Sequence, residues 1–269
     1  MYTEYWRLKE KPFENSLDMN FVYMSDQHKE ALARLLYTVE ERKNCAVLSG
    51  DHGTGKTLVR QMFVSRLSGV GSFAIAVIEN PLVGIDAMLS DIQTQISGKP
   101  AEFSSRGAVM RELRDVFLSK SAGGFHNLVL IDDGQLLDDL KTVEQLRLLM
   151  NLYDNKGQSL VTMIFFGQSN MLKTMKASPA LLQNISSRWV LNPLTAEQTR
   201  DYITHRLSVA GGNGWIIGDD AVEAIHEYTG GIARLINNVA DLALYLGMSE
   251  NAVRVDAVMV GRIIKDLED

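Results

Sequence analysis

The chain is 269 residues long, with 46% hydrophobic and 22% charged residues, and its formal net charge is −6. That composition fits a soluble globular protein of one large or two unequal domains and excludes a disordered chain, a collagen-like repeat and a coiled-coil rod. The mild acidity lends no support to a protein that coats nucleic acid, and the single cysteine, Cys45, excludes a disulfide framework or a cysteine-based zinc site. The longest apolar stretch, 160–166, is far short of the roughly 20 residues a spanning helix needs. The opening residues lack the apolar core of a secretory signal, so a cytoplasmic protein is expected.

Taken in chain order, the first thirty residues are aromatic and polar and read as an ordered arm leading into a helix over 27–41. The apolar run Cys45-Ala46-Val47-Leu48-Ser49 predicts a buried strand, and apolar spacing over 56–67 predicts a helix. A second strand over 72–78 stops at Asn80-Pro81. Helices are expected over 83–96 and 108–119 with a polar loop, 97–105, between them. A third strand follows at 128–131, a helix at 142–153, a fourth strand at 160–166 and a fifth at 189–191. Apolar strands alternating with helices imply a parallel sheet covered on both faces. From Leu194 onward the pattern is helical only, over 196–210, 219–229, 232–246 and 256–267. The expected organisation is an α/β domain with its N-terminal arm over 1–193, followed by a small helical domain over 194–269.

Gly50-Asp51-His52-Gly53-Thr54-Gly55-Lys56-Thr57 fits G-x-x-x-x-G-K-[ST] in full, between a predicted strand and a predicted helix. Glycines let the backbone curl so that several N–H groups point at one phosphate chain, and the helix that follows, with Leu58 in its first turn, adds its positive end. Lys56 would reach the β- and γ-phosphates, and Thr57 would place its hydroxyl on Mg²⁺. A P-loop needs a second group for the metal, and the third strand ends in Asp132-Asp133. Asp132 is placed to hold Mg²⁺ through water, and Asp133 to orient or deprotonate the attacking water. The guanine-reading string N-K-x-D has no match, because Asn155-Lys156-Gly157-Gln158 lacks the aspartate and precedes a strand. That string reads as a turn, and ATP is the expected nucleotide.

These residues, with the helical second part, resemble the AAA+ ATPases, a P-loop NTPase fold whose parallel sheet is sandwiched by helices and followed by a helical lid. Within that class the chain is similar to the ExeA/GspA group of general-secretion ATPases, which includes the pilus-associated MshM proteins. The similarity is carried by Tyr2, Tyr5-Trp6, Leu8-Lys9, Pro12-Phe13, Phe21, Tyr23, Ser25, His28 and Glu30-Ala31 in the arm. It continues in Asn80-Pro81, Gly167-Gln168, Leu191-Asn192-Pro193-Leu194-Thr195, Thr199, Tyr202-Ile203, His205-Arg206-Leu207 and Gly231-Ile232-Ala233-Arg234-Leu235-Ile236-Asn237. It covers nearly the whole chain.

The resemblance implies roles. Gln168, with Asn170 as a second candidate, would sense the γ-phosphate at the end of the fourth strand. Arg188, read as lying just before the fifth strand, would reach a neighbouring subunit's nucleotide, although the group often carries another arginine near the position of Asn184. Arg234 would be the lid arginine that senses nucleotide state, and Tyr23 and His28 would pack near the adenine. An arginine supplied in trans makes hydrolysis depend on assembly, so a homo-oligomer is expected.

Two departures stand out. The group usually has Asp-Glu-Ala-Gln at the acidic strand end, and this chain has Asp132-Asp133-Gly134-Gln135. Aspartate is one methylene shorter than glutamate and glycine loosens the backbone, so nucleotide binding with slow hydrolysis is expected. The larger members of the group continue into a transmembrane helix and a cell-wall-binding domain, whereas this sequence ends at Asp269. A short all-cytoplasmic member and a piece of a longer protein both stay open, with Met1 at the group's usual start.

No pair among the five histidines has zinc spacing, and no G-x-S-x-G elbow marks a serine hydrolase. The leading expectation is therefore an ATP–Mg²⁺ ATPase that oligomerises and helps assemble or position a secretion or pilus machine, cytoplasmic or held at the inner membrane by a partner. Two alternatives stand beside it. One is an ATP-dependent DNA-binding adaptor of the TnsC/TniB transposition type, which the acidic balance disfavours. The other is a non-hydrolysing ATP-gated scaffold.

Overall fold

In the computed structural model, which describes residues 1–16, 18–101, 105–137 and 139–268, the arm opens with the short helix α1 (Tyr2–Tyr5) and leads into α2 (Asp26–Glu40). Strands and helices then alternate: β1 (Cys45–Gly50), α3 (Lys56–Ser68), β2 (Phe73–Ile78), α4 (Ile85–Ser97), α5 (Arg106–Ala122), β3 (His126–Ile131), α6 (Leu140–Met150) and β4 (Val161–Gly167). Two short helices, α7 (Met171–Lys176) and α8 (Pro179–Asn184), precede β5 (Ile185–Leu191). The remainder is helical: α9 (Ala196–Val209), α10 (Asp219–Thr229), α11 (Ala233–Ser249) and α12 (Ala257–Glu268). Residues 102–104 of the expected polar loop lie outside the described residues.

The five strands are parallel, in the order β2-β3-β4-β1-β5, with α3, α4, α5 and α6 packed on the sheet. Every residue of β1, β3 and β4 is buried, which is why these strands read as unbroken apolar runs. The core beneath them joins Val47, Val129, Ile131, Met163 and Phe165 to Met88, Leu89 and Ile92 of α4 and to Leu113 and Phe117 of α5. One sheet edge is closed by a side chain. The Gln95 amide accepts from Val77 N at 2.9 Å and donates to Val77 O at 3.0 Å, standing where another strand's peptide would pair.

The residues group into two compact units, one of residues 28–51 and 56–191, the other of residues 1–27, 52–55 and 192–269. In the second unit the arm is part of the helical core. Trp6 and Phe13 are buried with Leu207, Ile236, Leu244 and Val260. Burying side chains of this size contributes on the order of 2 kcal/mol each. Trp6 Nε1 donates to Leu244 O at 2.8 Å. Arg206 donates to Glu14 O at 2.9 Å, to Tyr202 Oη at 2.8 Å and to Pro12 O. Leu194 N donates to Gly231 O at 2.8 Å, and a Cβ on Gly231 would run into the Leu194 carbonyl.

The elements differ from expectation where polar residues or shortness hide the pattern. β3 begins at His126 because His126 and Asn127 are buried, with Asn127 Nδ2 donating to Leu160 O at 2.8 Å. β5 begins at Ile185, since its alternating exposure at the sheet edge breaks the apolar run. Arg188 therefore lies inside this strand and not before it. α6 ends at Met150, and 154–158 turns back: Asp154 Oδ1 accepts from Lys156 N and Gln158 N at 2.8 Å each, with Gly157 at φ +76°. α7 and α8 are six residues each, too short to show a period, although Ser178-Pro179 is a helix-start signal.

Candidate nucleotide site

Strand register brings the chemistry together. Ser49 pairs with Gly167 and Ile131 with Phe165, so β1, β4 and β3 leave the sheet side by side at their carboxyl ends. In open parallel sheets that edge is where ligands bind. Gly50 and the loop that follows emerge from β1, Asp132-Asp133 from β3, and Gln168 from β4.

The loop after β1 has the curl its glycines permit, with Gly53 at φ +79° and Gly55 at φ +99°. Within its own unit, a Cβ on Gly53 would stand 2.8 Å from Arg234 Cβ and 2.9 Å from Ile232. α3 begins at Lys56, so the first-turn amides of a helix follow the loop directly. Lys56 is buried, and its Nζ donates to Gly50 O at 2.9 Å and Asp51 O at 2.8 Å. Asp51, His52 and Thr57 are exposed, Leu58 is half-buried and Thr54 is buried.

Asp132 is buried, and Arg60 of α3 faces it with Nε 2.9 Å from Oδ2. That N–H is not aligned for a hydrogen bond, so the contact is a close ion pair. A second Arg60 nitrogen lies 3.5 Å from Glu79. Burial pushes the Asp132 carboxyl above the usual range, and Arg60 and the Asp133 N–H, 3.0 Å from Oδ1, offset part of that rise. Asp133 sits in the left-handed region at φ 47°, ψ 39°. Its Oδ1 accepts from Gln135 Nε2 at 2.9 Å, and Gln135 Oε1 accepts from Gln168 N at 2.9 Å. Gln168 is half-buried, and Asn170 is exposed at the start of α7.

This set fits ATP–Mg²⁺. A glycine loop running into a helix N-terminus with a lysine folded over it suits a triphosphate. Among the described residues no group of three His, Cys, Asp or Glu could hold a metal alone. A metal held by one carboxylate and a threonine hydroxyl, completed by phosphate oxygens and water, is the pattern of Mg²⁺ and not of a protein-caged ion.

The remaining candidates lie on other elements, and of these Arg234 stands against Gly53 of the loop. Arg188 is exposed and pairs with Val47 in mid-strand, and Asn184 closes α8. His28 is buried on α2. In the helical unit, Arg234 is exposed in the first turn of α11, and the Tyr23 ring lies 5.9 Å from those of Tyr202 and His205. Sequence reading missed Arg60 and assigned no role to Gln135. Arg60 had a signal, since it lies one helical turn after Lys56 on the face of α3 that returns to the loop. Gln135 had only its match to the glutamine of the group's Asp-Glu-Ala-Gln pattern, because its two bonds depend on β3 and β4 being neighbours. Among the described residues no helix is long and apolar enough to cross a membrane.

Comparison with known proteins bears on the family and the fold. The chain is 33% identical over 259 residues to general secretion pathway protein A of Aeromonas hydrophila, a match covering 95% of this chain and 46% of that protein. It thus spans about half the length of that relative, and the resemblance drawn from the arm and lid motifs is upheld. Among solved structures, Drosophila ORC bound to DNA superposes with a TM-score of 0.73 at 14% identity, covering 99% of this chain and 66% of that one. Cdc6p from Pyrobaculum aerophilum gives 0.70 at 14% identity, with 91% and 67% covered. Domain III of the Thermotoga maritima replication initiation protein DnaA gives 0.60 at 14% identity, with 95% and 98% covered. At these identities the structures speak for the fold alone: a parallel P-loop sheet flanked by helices. The AAA domain family matches residues 39–175, a stretch that holds the loop, the acidic strand end and Gln168, and the chain belongs to that family.

Proposed function

We propose that the chain binds ATP–Mg²⁺, hydrolyses it slowly, assembles with copies of itself when ATP is bound, and helps assemble or position a secretion or pilus machine. The observation that supports the catalytic part is that β1, β3 and β4, which lead into Lys56-Thr57, Asp132-Asp133 and Gln168, end side by side at one sheet edge. In this reading the Gly50–Thr57 backbone and Lys56 hold the phosphates, and Thr57 and Asp132 hold the metal. Asp133 orients the attacking water, and Gln168 contacts the γ-phosphate. Arg188, exposed on the edge strand, serves a neighbouring subunit, and Arg234 reads nucleotide state from the lid. Tyr23 and His28 are proposed toward the adenine. The proposed domain roles are an ATPase core over 1–193 and a lid over 194–269, with residues 1–27 of the arm packed into the helical core of the lid.

The general-secretion relative supports the pathway, and a cytoplasmic protein held at the inner membrane by a partner is proposed with it. The test is ATP turnover and mass by light scattering on one sample, with and without ATP–Mg²⁺ and with and without duplex DNA. ATP-driven assembly and turnover indifferent to DNA support the proposal. Assembly that requires DNA and weakens steeply with salt replaces it with the DNA-adaptor reading. Nucleotide binding with neither assembly nor turnover replaces it with the scaffold.

A further inference from the structure

Asp133 and Gln168 leave different strands, yet one side chain joins them. Gln135 Nε2 donates to Asp133 Oδ1 at 2.9 Å while its Oε1 accepts from Gln168 N at 2.9 Å. The bridge occupies a slot that glycine keeps open. A Cβ on Gly167 would stand 2.9 Å from Gln135 Oε1 and 3.1 Å from Gln135 N. On the other side Met171, fully buried, packs against Gly134.

The chemistry of the two partners selects an amide. A carboxylate can only accept, and a backbone N–H can only donate. A side chain that satisfies both must donate at one end and accept at the other, which a primary amide does in one plane. Glutamate would accept from Gln168 N but set a second negative charge against Asp133. Methionine would fill the volume and make neither bond. Asparagine is one methylene shorter.

We propose that Gln135 is a positioning residue that couples the Asp133 carboxylate to the main chain of Gln168, so that phosphate engaged at the end of β4 sets where the Asp133 carboxylate points. The proposal rests on the reading of Asp133 and Gln168 given above. It also gives the shorter aspartate a fixed position. With Gln135 as a strut, the orientation of the carboxylate follows the β4 end and is not left to rotamer choice.

The test compares Gln135→Met and Gln135→Glu with Asp133→Asn, alone and combined, in the full chain. ATP turnover, ATP and ADP affinity by fluorescent-nucleotide displacement, and thermal midpoint are read on each. Both Gln135 variants should turn over ATP about tenfold or more slowly, with ADP affinity within about twofold, because the bridge acts on the reacting geometry and not on ground-state binding. In the Asp133→Asn background, Gln135→Met should cost less than about twofold more, since the two groups act as a unit. Unchanged turnover in both single variants, or an equal fold-loss in the two backgrounds, overturns the proposal. Loss in Asp133→Asn with none in Gln135→Met removes the part of Gln135 alone. Full turnover in Asp133→Asn removes the reading of Asp133 and the proposal with it. If the unaltered chain does not turn over, the readout is the ratio of ATP to ADP affinity. Gln135→Met should then shift it by about threefold or more, a coupling typical of linked sites, and an unchanged ratio overturns the proposal.

Discussion

Arg60 Nε stands 2.9 Å from Asp132 Oδ2, with the two side chains only 10% and 12% exposed. The pair joins the helix that follows the phosphate loop to the acidic end of β3. Removing one member of such a pair leaves a buried charge without a partner, which costs on the order of 3–5 kcal/mol, while replacing both with neutral groups costs much less. Arg60→Met should therefore lower the stability of the nucleotide-free protein by several kcal/mol in urea unfolding, and Asp132→Asn added to it should recover most of the loss. A single variant as stable as the parent would show that solvent already screens the pair.

Gly134 and Met171 make a second linked pair. A Cβ at Gly134 would collide with the Met171 thioether, so the chain departs from the group's alanine where a sulfur fills the place of the methyl. Gly134→Ala should cost about 1–3 kcal/mol by overpacking. Met171→Ala alone should cost about 2–5 kcal/mol through the cavity it leaves. The double variant should be more stable than the two losses added together, because the new methyl enters the vacated space. Additive losses in the thermal or urea midpoint would mean that the two residues do not share that space.

The parts of this molecule that are legible in its sequence are those carried by local pattern. β1, β3 and β4 announce themselves because both faces are buried, and the phosphate loop does so because its spacing is itself the mechanism. Tyr2, Trp6, Pro12 and Arg206, quoted only for their resemblance, prove to be the pieces that tie the arm to the helical core. What stayed hidden depends on neighbours in space. Arg188 was misplaced because an edge strand alternates and carries no apolar run. The Gln135 bridge needs the β3–β4 register, which no spacing within either strand encodes. The Arg60 ion pair is half local: its helical turn was readable, its partner on another strand was not.

Asp133 lies in the left-handed region at φ 47°, where aspartate and asparagine are enriched over other non-glycine residues. Asp133→Asn should therefore fold as the parent does and bind nucleotide equally well. Its turnover should fall by about 10²-fold or more, the range for loss of a general base. Asp133→Glu should raise turnover clearly, by restoring reach, at a stability cost of about 1 kcal/mol for a longer side chain in that conformation. Steady-state ATPase assays with thermal midpoints separate these effects, and a glutamate variant no faster than the parent would show that reach is not what limits the reaction.

His126, buried at the amino end of β3, makes a pH prediction remote from the nucleotide site. Its Nε2 lies 2.9 Å from Thr162 Oγ1, and that hydroxyl donates to Lys43 O at 2.6 Å. The hydroxyl proton is thus committed, so His126 Nε2 must be the donor and Nδ1 the bare nitrogen. Nδ1 is buried with no hydrogen-bond partner, the Phe73 and His126 ring centres are 6.4 Å apart, and the positive charge of Arg42 is nearby. Burial first, and then Arg42, push the imidazole down to about 4 from its ordinary 6.5. A base with a depressed folded-state value binds its proton in the unfolded chain first. The stability it protects is complete above pH 6.5 and is lost as pH falls toward 4. Between pH 7.5 and 5 the share of the loss that belongs to His126 should be about 2 kcal/mol. Urea midpoints across that interval measure it. His126→Gln keeps a hydrogen-bonding side chain without a titrating one and should flatten the slope. A slope that survives the substitution would place the proton uptake on another group.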